Sequence, residues 1–222
     1  MTRILIGCET SGAIRRAMKA KGHFVRSVDL LPSEDDSQDH IIGDVLDHLD
    51  DGFDLAIFHP TCTYLTNAAA WALQDPDYDR WPGCGYHQRV KPGTLVGAAR
   101  RAARDDALAF VRTLATAPIP RICIENPMGA ARSAIPAEWQ YHAIHPWMFG
   151  DDASKATGLS LKGLPGLAAT GFVAPRMVNG NPRWANQTDS GQNRLSPGPD
   201  RWKIRSRTYP GVANAIADQW GE

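Results

Sequence analysis

An α/β fold built on a mostly parallel sheet, with helices on both faces, is what this sequence predicts. Short apolar runs of strand length alternate with segments rich in helix formers, and that alternation implies right-handed strand–helix–strand units. The first run ends in a glycine-containing turn that opens a helix, and the second ends in an acid, the layout of a nucleotide-binding Rossmann half. Over 222 residues, 43% are hydrophobic and 22% charged, a composition suited to one compact unit.

The elements follow in order. Arg3 to Gly7 is a short apolar strand, and Ala13 to Lys21 a helix closed by Gly22 at its C′ position. His23 to Leu30 is a second strand and His40 to Val45 a third; the acids of Asp47 to Asp51 suit a turn or short helix. Phe53 to Phe58 is a fourth, buried strand, ended by His59-Pro60. A long irregular stretch from Thr61 to Gly97 leads into a helix over Ala98 to Ala115, with Ala107, Leu108, Phe110, Val111 and Leu114 on one side. Pro118 to Glu125 is a fifth strand; the last 50 or so residues are rich in Gly, Pro and Asn and close with a helix over Val212 to Trp220.

The first turn reads GCETSG, with Glu9 where a dinucleotide site keeps glycines. An acid there repels pyrophosphate, so NAD is disfavoured and a phosphate-free cofactor with a cationic centre fits better, which points to S-adenosylmethionine. Asp29 lies 17 residues beyond Gly12, placed for ribose hydroxyls, and Asp44 is placed to meet an adenine amine. As capping residues, the same acids would only close helices.

A second constellation follows strands four and five. His59-Pro60-Thr61-Cys62 and Glu125-Asn126-Pro127 both sit at the carboxyl edge, where α/β sheets place ligands. A thiolate of lowered pKa is a strong nucleophile, and a glutamate beside it can act as acid or clamp on a heterocycle. Cys8 and Cys123 lie in apolar segments and read as core thiols. The four cysteines show no CxxC spacing, so no metal site or disulfide framework is indicated.

Lys+Arg and Asp+Glu are both 24, so the net charge is zero, yet the charges are segregated. Asp29 to Asp54 holds ten acids and no Lys or Arg; Arg176 to Arg207 holds seven bases against Asp189 and Asp200. Two such fields would steer an anion to one face. Arg201, Lys203, Arg205 and Arg207 alternate as one face of a strand and are the phosphate-contacting candidates. Arg100, Arg101 and Arg104 read as a solvated helix face. No signal-peptide pattern or membrane-length apolar run is present, which predicts a cytoplasmic protein.

The segments ILIGCETSG, VDLLPSE, GDVL, FDLAIFHPTCTYLTN, IENP, QYHAIHPWMFG and RSRTYPGVANAIADQWG, in that order, resemble the small phage-type relatives of the cytosine-5 DNA methyltransferases. The resemblance implies a Rossmann-like methyltransferase fold, with Cys62 as nucleophile and Glu125 as the ring-stabilising glutamate. It places Cys8, Glu9, Thr10, Ser11, Gly12, Asp29, Leu30, Asp44, Val45 and Pro60 around S-adenosylmethionine. Where the family has Pro-Cys, this sequence has Pro60-Thr61-Cys62, and the family's Gln-x-Arg-x-Arg motif is not recognisable.

The organisation expected is a catalytic core over 1–163, a basic DNA-contacting region over 164–207 and a returning helix over 208–222, in a monomer. Some 40 residues in that middle region predict short or relaxed sequence specificity. Asn126, Trp71, Arg80 and Lys155 complete the expected substrate set, with Trp71, Arg80 and Trp81 on a loop folding over a flipped base. The alternatives are transfer of a larger group such as carboxymethyl from a modified cofactor (carboxy-S-adenosylmethionine, Lys155 meeting its carboxylate), a single-stranded or free-nucleotide substrate, and a catalytically inactive DNA-binding module.

Overall fold

The structure, a computed structural model, describes residues 1–221. The strands are β1 (Arg3–Gly7), β2 (Phe24–Asp29), β3 (His40–Ile42), β4 (Leu55–Phe58), β5 (Arg121–Pro127), β6 (Gln140–Ile144), β7 (Thr157–Lys162), β8 (Arg176–Val178) and β9 (Asn181–Arg183). The helices are α1 (Ala13–Ala20), α2 (Gly97–Ala115), α3 (Arg201–Ser206) and α4 (Pro210–Trp220). The main sheet runs β3-β2-β1-β4-β5-β7-β6, parallel throughout its first five strands, with β7 antiparallel to both its neighbours. This is a Rossmann-like α/β fold, and its left half has the doubly wound order.

Helices cover both faces. Ile4, Ile6, Leu55, Ile57 and Leu159 turn to one side and pack with Ile14 and Met18 of α1 and with Val212, Ile216 and Trp220 of α4. Leu5, Ala56, Phe58, Ile122 and Ile124 turn to the other and meet Leu108, Val111 and Leu114 of α2. The period-2 strands and 3.6-period helices thus make two cores, one per face. Truncating a fully buried Ile or Leu here costs about 2–5 kcal/mol. Gly22, at φ 84, closes α1 as expected, its N–H reaching the Lys19 carbonyl at 2.9 Å.

β6 and β7 are not evident in the sequence. β7 is interrupted by Gly158, which lowers strand propensity, yet a Cβ there would lie 2.3 Å from the Tyr141 hydroxyl on β6. The pairing of β7 with β5 is what extends the sheet beyond its fifth strand. Among the described residues no helix is long and apolar enough to cross a membrane.

The alternation of Arg201, Lys203, Arg205 and Arg207 predicts a strand, but these residues form α3 and the extended residue after it. No free sheet edge receives this segment, and a lone strand leaves its backbone groups unpaired. A helix pairs them internally, starting with the Ile204 N–H to the Asp200 carbonyl at 3.1 Å. In that geometry Arg201 and Arg205 share a face and Lys203 points elsewhere, so the four cations do not form one row.

Candidate active site

The carboxyl ends of β1, β2 and β3 bring the first group together. Gly7 lies in register with Val28 and Phe58, and the chain then turns sharply at Cys8, whose φ is 60. That left-handed conformation is rare for a side chain with a Cβ and marks a constrained loop. The Cys8 N–H donates to the Val28 carbonyl at 2.8 Å. Burial first, then the charges of Asp29 and Asp44, push the Cys8 thiol up to about 12, so all three groups share one neighbourhood.

Glu9 is buried and folds back on its own loop, accepting from the Ser11 hydroxyl and from the Gly12 N–H at 3.0 Å. Asp29 accepts the Leu31 N–H at 2.9 Å; burial raises its pKa, and the Glu9 charge adds to that. Asp44 caps the 3-10 turn Val45–His48 through the Leu46 N–H at 2.9 Å. None of the three carboxylates has an ion pair among the described residues. Leu30 is exposed beside them, whereas the Val45 side chain is buried and a Cβ on Gly7 would meet it, so Val45 can offer a ligand only its backbone.

Part of the acidic segment is paired by folding. Asp35 pairs with Arg15 and Arg16, Asp39 with Lys19 and Arg26, Asp51 with His48, and Glu34 with Arg207. On the basic side, Arg176 pairs with Asp189. The expected segregation into two fields is therefore reduced but not removed, and Glu9, Asp29 and Asp44 are the unpaired carboxylates that gather beside Cys8.

The second group lies at the ends of β4 and β5. Their register, Phe58 opposite Ile124, sets His59 and Pro60 beside Glu125 and Asn126. The Asn126 amide donates to the Pro60 carbonyl at 3.0 Å. Glu125 Oε2 lies 3.3 Å from His59 Nδ1, and Glu125 Oε1 lies 4.0 Å from the Lys155 ammonium. Burial opposes ionisation of Glu125, but His59, Lys155 and the Thr157 hydroxyl outweigh it and hold the carboxyl below its ordinary range. Glu125 is thus a carboxylate at neutral pH.

Cys62 behaves in the opposite sense. Burial, then the nearby Glu125 carboxylate, raise its pKa, only partly offset by Lys155 and Arg205. The expectation of a lowered thiol pKa is corrected here: burial and the neighbouring carboxylate favour the thiol. Alkylation by iodoacetamide, followed peptide by peptide, should label Cys62 slowly at neutral pH with a midpoint above that of a free thiol. Glu125→Gln should lower that midpoint, and an unchanged midpoint would separate the two groups.

His59, Glu125, Lys155 and Thr157 line a cleft of about 430 Å³, including space open to solvent, whose far wall is Thr208, Tyr209 and Val212. Two buried polar atoms, His59 Nε2 and Asn126 Oδ1, have no partner among the described residues. Unpaired buried polar atoms are uncommon, and here both adjoin Glu125. Thr157 was not legible as a site residue, and His59 was placed at the carboxyl edge without a role of its own. The signal for His59 was its place, a polar residue at the end of a buried strand.

The loop bearing Cys62 is held from behind. Arg100 of α2 is buried, donates to the Thr63 carbonyl at 2.9 Å and lies over the Tyr64 ring at 5.3 Å. The reading of Arg100 as solvated fails because it continues the buried stripe of Leu108, Val111 and Ala115 at helical spacing. Arg101 is also engaged, with the Leu73 carbonyl and Asp75. Across from them, the Ala130 N–H donates to the Leu65 carbonyl at 2.7 Å, and a Cβ on Gly129 would lie 2.2 Å from that oxygen. Only glycine permits this approach, which ties the loop after β5 to the loop after β4.

Trp71 is half-buried and edge-on to Tyr86 at 5.3 Å and to His87 at 5.6 Å, so it packs within its own loop. Arg80 is exposed and lies over Trp81 at 5.3 Å. Lys155 is placed beside Glu125, and Arg205 acts on Cys62. Arg207 is taken up by Glu34, at 2.7 Å from Nε.

No family model matches the sequence, and no curated protein matches it. Among solved structures the chain is similar to the Entamoeba histolytica methyltransferase EhMeth, at 11% identity and TM-score 0.49, covering 78% of this chain and 58% of that one. It is also similar to a mutant DNMT2 of Spodoptera frugiperda, at 11% identity and TM-score 0.43, covering 82% and 57%. A third is the S. pombe Dnmt2 methyltransferase, at 14% identity and TM-score 0.41, covering 75% and 50%. The chain thus spans about half the length of the solved structures it matches.

Proposed function

We propose that this chain is an S-adenosylmethionine-dependent methyltransferase acting on carbon 5 of cytosine in DNA. The observation that carries the reading is the convergence of the Cys62 thiol and the ionised Glu125 beyond the ends of the adjacent strands β4 and β5, close enough for the Glu125 charge to act on the thiol. S-adenosylmethionine, when bound, supplies a methyl group on an electrophilic sulfonium. The residues fit such a ligand: Glu9, Asp29 and Asp44 offer negative charge without an ion-pair partner among the described residues, and exposed Leu30 offers an apolar surface to an adenine.

Cytosine carbon 5 is a poor nucleophile. Cys62 changes that when its thiol gives its proton to solvent and the thiolate bonds to carbon 6, while ring nitrogen 3 takes a proton from solvent, leaving an electron-rich carbon 5. Glu125, an acceptor as a carboxylate, takes a hydrogen bond from the exocyclic amine and stabilises the positive charge that develops on the ring. After carbon 5 has taken the methyl group, its proton leaves to solvent, the sulfur–carbon 6 bond breaks to release the thiolate, and nitrogen 3 returns its proton to solvent. The buried His59 Nε2 and Asn126 Oδ1 are available to a base inserted beside Glu125.

Calorimetric titration tests the cofactor half. S-adenosylmethionine should bind and NAD should not, and Asp29→Ala should weaken binding about tenfold, the loss of roughly one hydrogen bond to a charged group. Binding of NAD with none of S-adenosylmethionine would overturn the reading.

A further inference from the structure

Of the seven tryptophans, six have an evident place in the structure. Trp139 and Trp220 are buried, Trp71, Trp147 and Trp184 have aromatic partners, and Trp81 lies beneath Arg80. Trp202, on α3, has neither: it is 57% exposed, with Ile204 at 45%, and no ring partner among the described residues. An exposed indole on a short helix buries little apolar area for stability and is a common recognition element.

The position of α3 gives that exposure a direction. After the helix, Arg207 is clamped to Glu34, whose own N–H donates to the Thr10 carbonyl of the first turn at 2.9 Å. The next two residues, Thr208 and Tyr209, form a wall of the cleft that contains Glu125. Trp202 sits between Arg201 and Lys203 in sequence and one turn from Arg205, and the charge of Arg205 reaches Cys62. Lys203 and Arg205 have no ion pair among the described residues. A flat apolar ring flanked by uncompensated cations, fixed at the rim of the site, complements a strand that alternates π faces with phosphates.

We propose that α3 is the docking element for a DNA strand, Trp202 stacking on a base next to the reacting cytosine while Lys203 and Arg205 meet the phosphates. The inference rests on the cytosine methyltransferase reading and deepens it: the substrate is a polynucleotide, not a free nucleotide, and a neighbouring base is held by stacking instead of being read by its edge.

The test is fluorescence anisotropy with a single-stranded oligonucleotide carrying one cytosine. Trp202→Ala should bind about tenfold more weakly and Trp202→Phe should retain most of the affinity. Replacing the base on one side of the cytosine by an abasic site should weaken the wild type by a similar factor and leave Trp202→Ala nearly unaffected, the non-additivity expected of partners in one contact. Lys203→Ala/Arg205→Ala should bind with a shallower salt dependence. Equal affinity of Trp202→Ala and wild type, or fully additive effects of the variant and the abasic sites on either side, would overturn the docking role. Calorimetry with S-adenosylmethionine and covalent trapping on 5-fluorocytosine DNA separate this from the function itself. Unchanged trapping with no effect at Trp202 removes only the docking role, whereas no cofactor binding and no trapping in the wild type removes the methyltransferase reading.

Discussion

Cys62→Ser should abolish group transfer and the covalent adduct with 5-fluorocytosine DNA. Fluorine at carbon 5 blocks the final step, because no proton can leave from that position, so an enzyme that adds a thiol to carbon 6 is trapped as a denaturant-stable complex. Removal of a covalent nucleophile commonly lowers rates by more than about a thousandfold. The other three thiols are placed elsewhere. Cys123 is buried and pushed far up by its surroundings, Cys8 is pushed up to about 12 at the end of β1, and Cys84 donates to the Tyr86 and Gln88 carbonyls within the loop before α2. Adduct formation is read on a denaturing gel, and S-adenosylmethionine binding, measured alongside, should be retained. A trapped adduct that persists in Cys62→Ser would place the nucleophile elsewhere.

Glu125→Gln should lower the transfer rate about 100- to 1,000-fold, the effect of removing one preorganised electrostatic partner of a developing charge. The loss should fall on the rate more than on DNA affinity, since the charge develops during addition. It should also destabilise the fold, because Lys155 and His59 lose the carboxylate they face. The pH dependence has a definite sign. A carboxyl held below its ordinary value stabilises the native state fully above the unfolded pKa, near 4.3, and that stability is lost as pH falls through the folded value. Thermal melts of wild type and Glu125→Gln should therefore differ most at neutral pH and converge in acid. A constant gap across that range would contradict an ionised Glu125 in the folded state.

The left half of the fold was legible in the sequence, and for a simple reason. β1, β2 and β4 are short apolar runs with glycine, proline and acids at their ends, and α1 has its glycine stop. Such signals are local. β6 and β7 were not legible because their stability comes from pairing with each other and with β5, not from a strong strand composition. α3 was misread because alternation of charge is a strand signal only when a neighbour exists to pair with. The site divides in the same way. Cys62, Glu125, Asp29 and Asp44 announce themselves as reactive or acidic groups at strand ends. Arg100, Thr157 and the unpartnered atoms of His59 and Asn126 become visible only when distant segments meet.

Charge shows the division most clearly. The amino-acid order by itself determined that net charge is zero, that acids and bases are segregated, and that a thiol and a glutamate follow neighbouring strands. Only the tertiary structure decided which charges remain available. Ion pairs between segments as distant as Glu34 and Arg207 engage part of both fields, while Glu9, Asp29 and Asp44 on one edge and Lys203 and Arg205 near the other stay without an ion pair among the described residues. It also decided the states of the reacting pair, because a pKa depends on burial and on the charges within a few ångströms, neither of which is a property of sequence order.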